Sequence, residues 1–476
     1  MLMPDNTQFI PIQNPNMTGE RTKNQRLPMA QRLTTFAEVE KTYTEEEALL
    51  EASRCLGCPS RWCSKECPAG MPVPEFIKKI REKDYAGAYD LIASASPLPE
   101  FCSRLCPQEK QCQSNCTRSI RTEAVGIGRL ERFVVEKHYE NAEFPMPKPS
   151  GKRVAVIGSG PSGLAVAQRL RDQGHAVVVY EQEDAPGGLL RYGIPGMKLE
   201  KDILDRKLAA MTAQGIVFKT GTAAGSDLSA EALESQYDAV VLAVGTGNAR
   251  RLRLFGAEGT SGIHNAVDYL SGRSGDTAKG KDVIIIGGGD TGNDCVGTAI
   301  RQGATSITQI EMLPQVTGRQ IIYDPIPQRP KEKKFDSSQE ECLHKFLKDP
   351  HIYQATVKAV QTDDAGRLQS VTMVHLTPEY DAARRMRMVE IPSTEETLPC
   401  GLLIIAAGFL GPEAETVAHF GVETTPRSNI AAQDYTTSVS KVFACGDCRT
   451  GQSLVVKAMV DGRNCADAVN AYLSQS

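Results

Sequence analysis

Short unbroken apolar runs punctuate the chain, and they end in glycine: Val154-Ala-Val-Ile157 before Gly158, Ala239-Val-Val-Leu-Ala-Val244 before Gly245, Val283-Ile-Ile-Ile286 before Gly287, Leu402-Leu-Ile-Ile-Ala-Ala407 before Gly408, and Val442-Phe-Ala-Cys445 before Gly446. Runs of this length bounded by turn signals read as strands buried on both faces. Residues 164–173 read as a helix stopped by Gly174, residues 176–180 as the next strand, 199–215 as a second helix and 217–219 as a short strand. From Lys281 the same unit recurs, with a helix to Gln302 and a strand over 306–310; it is the one internal repeat found. Strand, helix and strand in that order predict parallel sheets and an α/β fold. Residues 352–399 alternate as a meander would, and 314–350 mix prolines and charges, including Arg329-Pro-Lys-Glu-Lys-Lys334, as a solvated loop would. The run from Leu402 to Phe409 is expected to return the chain to the first sheet, and residues 451–459 to form a helix.

Ahead of these runs the pattern is helical. Residues 1–45 are polar and proline-bearing and read as an extended arm, after which Thr44 followed by Glu45, Glu46 and Glu47 reads as a helix N-terminus. Residues 74–94 read as helices with Phe76, Ile77, Ile80, Tyr85, Ala88, Tyr89 and Leu91 on the core side, and a further helix opens after Val125 and continues to about His138. Three prolines in residues 141–150 mark a linker. The expected organisation is a helical domain over 1–145, a first nucleotide domain over 146–275 and 403–476, and a second over 276–402 inserted in the first.

The glycines carry the first chemistry. In Gly158-Ser-Gly-Pro-Ser-Gly163, Gly158 permits the tight turn, Gly160 lets backbone approach a pyrophosphate, and Gly163 lets the next helix pack closely; Pro161 and Ser162 open that helix, whose N-terminus faces the phosphates. Glu181 ends the second strand, where it can accept from a ribose diol. Ala185-Pro-Gly-Gly-Leu-Leu-Arg-Tyr-Gly-Ile-Pro195 is similar to the flavin-contacting loop of the FAD-dependent pyridine-nucleotide oxidoreductases, which implies FAD here and makes Gly188, Leu189, Arg191, Gly193, Ile194 and Pro195 its candidate contacts. Gly245 and Thr246 end a buried strand of the same domain. In flavoproteins of this class an aspartate placed like Asp447, after Gly446, binds the ribityl chain, and the helix entered through Gln452, Ser453 and Leu454 points its positive end at the isoalloxazine. Cys445 and Cys448 flank that motif and are not read as a redox pair.

Gly287, Gly289 and Gly292 repeat the first motif's offsets, with Asp290 and Thr291 opening the helix. Two dinucleotide sites in one chain are expected where hydride passes between two dinucleotide cofactors, so the second is expected to hold NAD(P)H. Glu311 stands at the ribose-reading position, and a carboxylate there accepts from a 2′-hydroxyl and repels a 2′-phosphate, favouring NADH; Arg319 is near enough in sequence to bind a phosphate instead.

The net charge is −4, which gives no sign of a nucleic-acid or anionic-membrane partner. No stretch approaches the ~18 apolar residues of a membrane span. The opening Met1-Leu-Met-Pro-Asp5 lacks the features of a secretory signal, so a cytoplasmic location is expected. Of the 14 cysteines, eight fall between Cys55 and Cys116. They form two groups, Cys55, Cys58, Cys63 and Cys67, then Cys102, Cys106, Cys112 and Cys116, with Cys67 and Cys106 each followed by proline. Such spacing implies two metal centres, and a ligand followed by proline is often donated to the other cluster of a pair. Structural zinc also takes four cysteines, but its ribbons usually show two Cys-x2-Cys knuckles and this chain has one such pair there, so iron–sulfur is favoured.

Together with the paired cysteine groups, Gly-Ser-Gly-Pro-Ser-Gly163, Pro186-Gly-Gly-Leu-Leu-Arg-Tyr-Gly-Ile-Pro195, Gly-Gly-Gly-Asp-Thr-Gly292 and Cys445-Gly-Asp-Cys-Arg-Thr-Gly-Gln-Ser-Leu-Val-Val456 resemble the glutamate synthase small (β) subunits from about Thr44 onward. They are also similar to the N-terminal half of dihydropyrimidine dehydrogenase and to the large subunit of electron-bifurcating NADH-dependent ferredoxin:NADP oxidoreductase. The resemblance implies an N-terminal helical domain with two [4Fe–4S] clusters followed by two Rossmann-like domains. It implies interleaved ligands: Cys55, Cys58, Cys63 and Cys116 for one cluster, Cys67, Cys106, Cys112 and a non-cysteine side chain matching Glu131 for the other, with Cys102 spare. It further implies hydride transfer from NAD(P)H to FAD with no side chain acting as acid or base. Electrons then leave singly through the clusters to a large FMN-containing partner that makes glutamate from glutamine and 2-oxoglutarate. The alternatives are the bifurcating enzyme's subunit and, in another class, a zinc-stapled flavin-binding adaptor.

Overall fold

The computed structural model describes residues 15–17, 19–250, 252, 254–315 and 336–475. The helical region contains Glu45–Ser53, Val73–Arg81, Tyr85–Ala95, Pro99–Leu105 and Ile127–Tyr139. Thr44 caps the first through a capping box: its hydroxyl accepts from the Glu47 amide while the Glu47 carboxylate accepts from its own. Phe76, Ile77, Ile80, Ala88, Leu130 and Phe133 fill the core of this region, and Tyr85 packs edge-on against Phe133 at 5.3 Å.

Two five-stranded parallel sheets follow. The first runs Val442–Ala444, Ala239–Leu242, Arg153–Ile157, Ala176–Tyr180, Val217–Lys219 in spatial order. Three of its strands, Val442–Ala444, Ala239–Leu242 and Arg153–Ile157, are buried on both faces apart from Arg153, whereas the edge strand Val217–Lys219 is largely exposed. Against one face the helices Pro161–Asp172 and Val455–Leu473 pack so closely that a Cβ on Gly462 would stand 2.3 Å from the Ser162 carbonyl oxygen. The second sheet runs Ile263–Asn265, Leu402–Ile405, Asp282–Ile286, Ser306–Glu311, His351–Tyr353. The alternating stretch is the expected meander: Leu368–Tyr380 pairs antiparallel with Ala355–Thr362, Met386–Glu390 and Glu396–Pro399.

Three expectations are corrected. Leu402–Ile405 does not return to the first sheet; it lies inside the second, between Ile263–Asn265 and Asp282–Ile286, and Ile263–Asn265 is drawn there with it. A fully apolar run satisfies either sheet equally, so its pattern carries no address. Within the stretch read as a loop, Ser337–Phe346 is a helix with Asp336 and Gln339 as its capping box and with Glu341 and Cys342 buried; the basic run from Arg329 lies outside the described residues. The helix expected from Gly451 begins at Val455 and continues to Leu473, because residues 451–454 form the approach to its N-terminus. The described part of the N-terminal arm crosses all three regions. The Asn16 amide donates to Ser53 O at 2.9 Å, the Val39 amide to Met197 O at 3.0 Å, and Arg32 pairs with Glu341 at 2.9 Å.

Candidate nucleotide and iron–sulfur sites

Both parallel sheets carry a glycine loop at the carboxyl ends of their strands, where open α/β sheets bind ligands. In the first sheet Gly158, Glu181, Gly245 and Gly446 follow neighbouring strands and so face one crevice. Gly158 has φ +99°, and a Cβ on it would lie 2.5 Å from the Ala243 carbonyl oxygen. A Cβ on Gly163 would lie 2.0 Å from the Gly158 carbonyl oxygen. Gly160 differs: nothing lies within 4 Å of where its Cβ would stand, so the chain's own packing leaves open the face that a pyrophosphate needs at the start of helix Pro161–Asp172.

Polar contacts set the rest of this cradle. Glu181 is buried; one carboxylate oxygen accepts from the Ser159 amide at 3.0 Å and from its hydroxyl, and the other from the Glu183 amide at 2.9 Å. The Ser159 hydroxyl accepts from the Gly187 amide at 2.8 Å, which ties the flavin-loop candidate to the glycine loop. Leu189 and Arg191 lie on the short helix Leu189–Tyr192, with Gly193, Ile194 and Pro195 next. Across the crevice, Ser453 Oγ donates to Asp447 Oδ1 at 2.7 Å, Gln452 Oε1 accepts from the Phe409 amide at 3.0 Å, and burial pushes the Asp447 carboxyl up. Thr246 follows Gly245, whose φ is +65° with open space beside it. Cys445 and Cys448 are both fully buried and Cys448 donates to backbone carbonyls, so this pair faces no substrate path.

The second loop has the same steric signature. A Cβ on Gly287 would lie 2.5 Å from the Ala406 carbonyl oxygen, one on Gly292 2.0 Å from that of Gly287, and one on Gly289 would meet nothing within 4 Å. Asp290 and Thr291 are exposed on the first turn of Asp290–Gln302. Glu311 accepts from the Gly288 amide and from the Leu313 amide, both at 2.8 Å. Arg319 lies outside the described residues.

The cysteines regroup across their sequence blocks. Cys55, Cys58, Cys63 and Cys116 line one cavity with Trp62, Val73, Ile77 and Ile127. Burial pushes the Cys55 and Cys63 thiols up to about 12, and neighbouring thiols of this set add to it. Beside it, Cys112 is pushed up by burial and then by Cys67 and Glu131; Cys106 is pushed up first by its hydrogen bond to Cys102, then by burial, Glu131 and Cys112. A cluster's positive charge reverses such shifts and holds thiolates. Thiols arranged around a cavity fit the corners of a cluster. Glu131 is 8 % exposed, its Oε1 has no hydrogen-bond partner, and burial followed by Glu100 raises its carboxyl to about 8. An orphaned carboxyl oxygen beside thiols fits an iron ligand. Besides Cys106, Cys102 meets two further side chains: Ser96 Oγ lies 3.7 Å and Met459 Sδ 3.6 Å from its sulfur.

Two lysines were not foreseen. Lys201 Nζ donates to the Leu190 carbonyl at 2.8 Å and the Ile194 carbonyl at 2.5 Å, clamping the flavin-loop candidate, and burial with Arg191 nearby pulls it down to about 8. Lys198 is paired with Asp294 at 2.6 Å and Asp336 at 3.2 Å; burial alone would lower it, but these carboxylates raise it. The run Gly196-Met-Lys-Leu-Glu-Lys201 carries no spacing that announces either role.

Comparison with known proteins agrees with both halves of this arrangement. Residues 32–143 match the family described as dihydropyrimidine dehydrogenase domain II, 4Fe-4S cluster, and residues 152–462 the pyridine nucleotide-disulphide oxidoreductase family. The chain is 36% identical over 470 residues to the glutamate synthase [NADPH] small chain of Bacillus subtilis, covering 94% of this chain and 95% of that one. It is also 36% identical to the glutamate synthase [NADH] of Schizosaccharomyces pombe, but spans only 22% of that longer protein. The structure of Mycobacterium tuberculosis FprA in complex with NADPH superposes with a TM-score of 0.54 at 17% identity, over 69% of this chain and 85% of that one, a likeness of fold. No helix among the described residues is long and apolar enough to cross a membrane.

Proposed function

The chain belongs to the family of glutamate synthase small chains, and from that premise we propose that this oxidoreductase is the electron-input subunit of a glutamate synthase, acting in the cytoplasm in a hetero-oligomer. In this reading the helical region holds two [4Fe–4S] clusters, the first sheet FAD and the second NAD(P)H. The observation that carries it is the duplicated glycine loop, closed at Gly158, Gly163, Gly287 and Gly292 and open at Gly160 and Gly289, in one chain with a buried cysteine cavity. When bound, FAD supplies the exchange between a two-electron hydride donor and one-electron iron–sulfur centres.

The protein's own part is placement. Glu181 and Ser159 fix the first loop, Lys201 fixes Leu190 and Ile194, and Asp447 with Ser453 closes the opposite wall. Trp62, Val73, Ile77 and Ile127 give the cavity around Cys55, Cys58, Cys63 and Cys116 a largely apolar wall. A large amidotransferase-type chain is the partner this reading requires.

The test is anaerobic purification of the full chain, followed by spectra, metal analysis and capture of the partner. A brown protein, with broad absorption beneath flavin bands that bleach on adding NADH or NADPH, is expected, together with co-purification of a large amidotransferase-like chain. A clean yellow spectrum with zinc in place of iron would sink the electron relay. Capture of a small ferredoxin-reductase-like chain would sink the glutamate synthase assignment and leave the relay standing.

A further inference from the structure

The two nucleotide units are near copies, so a position where they differ isolates what one site has and the other lacks. The register pairs Val156 with Val179 in the first unit and Ile285 with Gln309 in the second, so Gln309 stands where the first unit has Val179. Asn293, directly after Gly292, stands where the first unit has Leu164 after Gly163. Leu164 and Val179 are 0 % exposed apolar residues; Gln309 is equally enclosed and Asn293 is 8 % exposed. Carboxamides are costly at such positions unless they are bonded.

Through their amide nitrogens the glutamines are bonded into a chain that ends on the second glycine loop, while Gln309 Oε1 is buried without a hydrogen-bond partner. Gln339, on the helix Ser337–Phe346, donates to Asn293 Oδ1 at 3.0 Å and lies 2.9 Å from His351 Nε2. Gln309 donates to Asn293 Oδ1 at 3.1 Å and to the Gly287 carbonyl at 2.9 Å. That carbonyl belongs to the peptide whose N–H, on Gly288, is held by Glu311 at 2.8 Å. One peptide plane is therefore gripped at both ends. In the first unit the equivalent N–H, on Ser159, is held by Glu181, while among the described residues no side chain donates to the Gly158 carbonyl.

We propose that Gln309, Asn293 and Gln339 are positioning residues for the pyridine nucleotide, locking the Gly287–Gly288 peptide so that the loop stays aimed at the pyrophosphate between turnovers. The inference rests on reading the second sheet as the NAD(P)H site. FAD stays bound and can order its own loop once; a ligand that enters and leaves every cycle meets the ordering cost each time, and a pre-set loop removes it.

The test uses the full chain with FAD and iron measured, NADH and NADPH as substrates, and ferricyanide as acceptor. Gln309→Leu should raise KM for both nucleotides roughly three- to tenfold, as loss of one hydrogen bond implies, with kcat, FAD and iron unchanged. The double variant Asn293→Leu with Gln309→Val copies the first unit's apolar pair; it removes the Asn293–Gln309 bond from both sides and leaves Gln339 its contact with His351, so it should be more stable than Gln309→Leu while KM stays raised. A KM within twofold of wild type in a FAD-loaded Gln309→Leu protein would overturn the proposal, as would KM recovering together with stability in the double variant. Oxidation of neither nucleotide by the wild-type protein would instead refute the site assignment, and this inference with it.

Discussion

Gly160 and Gly163 stand three residues apart, yet side chains added to them should fail for different reasons. Gly160 has open space on the side its Cβ would occupy, so Gly160→Val should fold and lose FAD; flavin absorbance per chain after gel filtration measures this, and stoichiometric FAD would refute the cradle. At Gly163 a methyl would collide with the Gly158 carbonyl at 2.0 Å, so Gly163→Ala should lower the unfolding midpoint even of FAD-free protein. Glu311 presents its charge beside the second loop, so Glu311→Ala should move the ratio of kcat/KM toward NADPH; an unchanged ratio would mean that it does not read the ribose. These residues were legible in the sequence because a glycine motif is local and its offsets are set by one turn of chain. Lys198 and Lys201 were not, because their partners are defined only once distant segments meet.

At the scale of elements, the four-and-four cysteine pattern announced metal chemistry but not which thiols share a centre. The helix Ile127–Tyr139 brings Glu131 within electrostatic reach of Cys67, Cys106 and Cys112, a proximity no spacing encodes. On the interleaved set Cys102→Ala should keep both clusters with iron unchanged, although its thiol bonds Cys106 as well as Ser96 and Met459, whereas Glu131→Ala should weaken or convert one. Iron falling by half in the first and holding in the second would reverse the assignment. In iron-free protein Glu131 has a second signature. Burial raises its folded carboxyl to about 8 from the ordinary value of about 4.5, so its own contribution to stability is fullest at low pH and is lost as pH rises through that window. Glu131→Gln should flatten this dependence in denaturant titrations between pH 5 and 8, and an unchanged slope would place the burden elsewhere. The helix Ser337–Phe346 was hidden by its polar composition although its capping pair, Asp336 and Gln339, was in plain view. Leu402–Ile405 was recognised as a strand but misplaced, because sheet membership is a long-range property.

Across the whole molecule, the arm is what joins the helical region to the second sheet. Glu38 takes Arg104 and Arg132 from the helical region, its amide donates to Glu200, and Arg301 donates to the Thr35 carbonyl. The anchor at the far end is Glu341, 1 % exposed and shared by Arg32 and Arg301, which are themselves 5 % and 0 % exposed. A buried carboxylate with two cations tolerates the loss of neither well: Arg32→Ala leaves Arg301 in place but removes charged hydrogen bonds to Glu341, the Ser337 carbonyl and Glu340, the buried one to Glu341 alone a loss of roughly 1.5–3 kcal/mol. That loss falls on the helix Ser337–Phe346, the element that also carries Gln339, and leaves the cysteines between Cys55 and Cys116 untouched. Arg32→Ala should therefore lower the thermal midpoint by several degrees and speed amide hydrogen exchange across residues 337–346, with iron content and exchange in residues 45–53 unchanged. Faster exchange spread evenly over both regions would show that the arm stabilises the fold as a whole, and unchanged exchange in 337–346 would show that it does not couple the two.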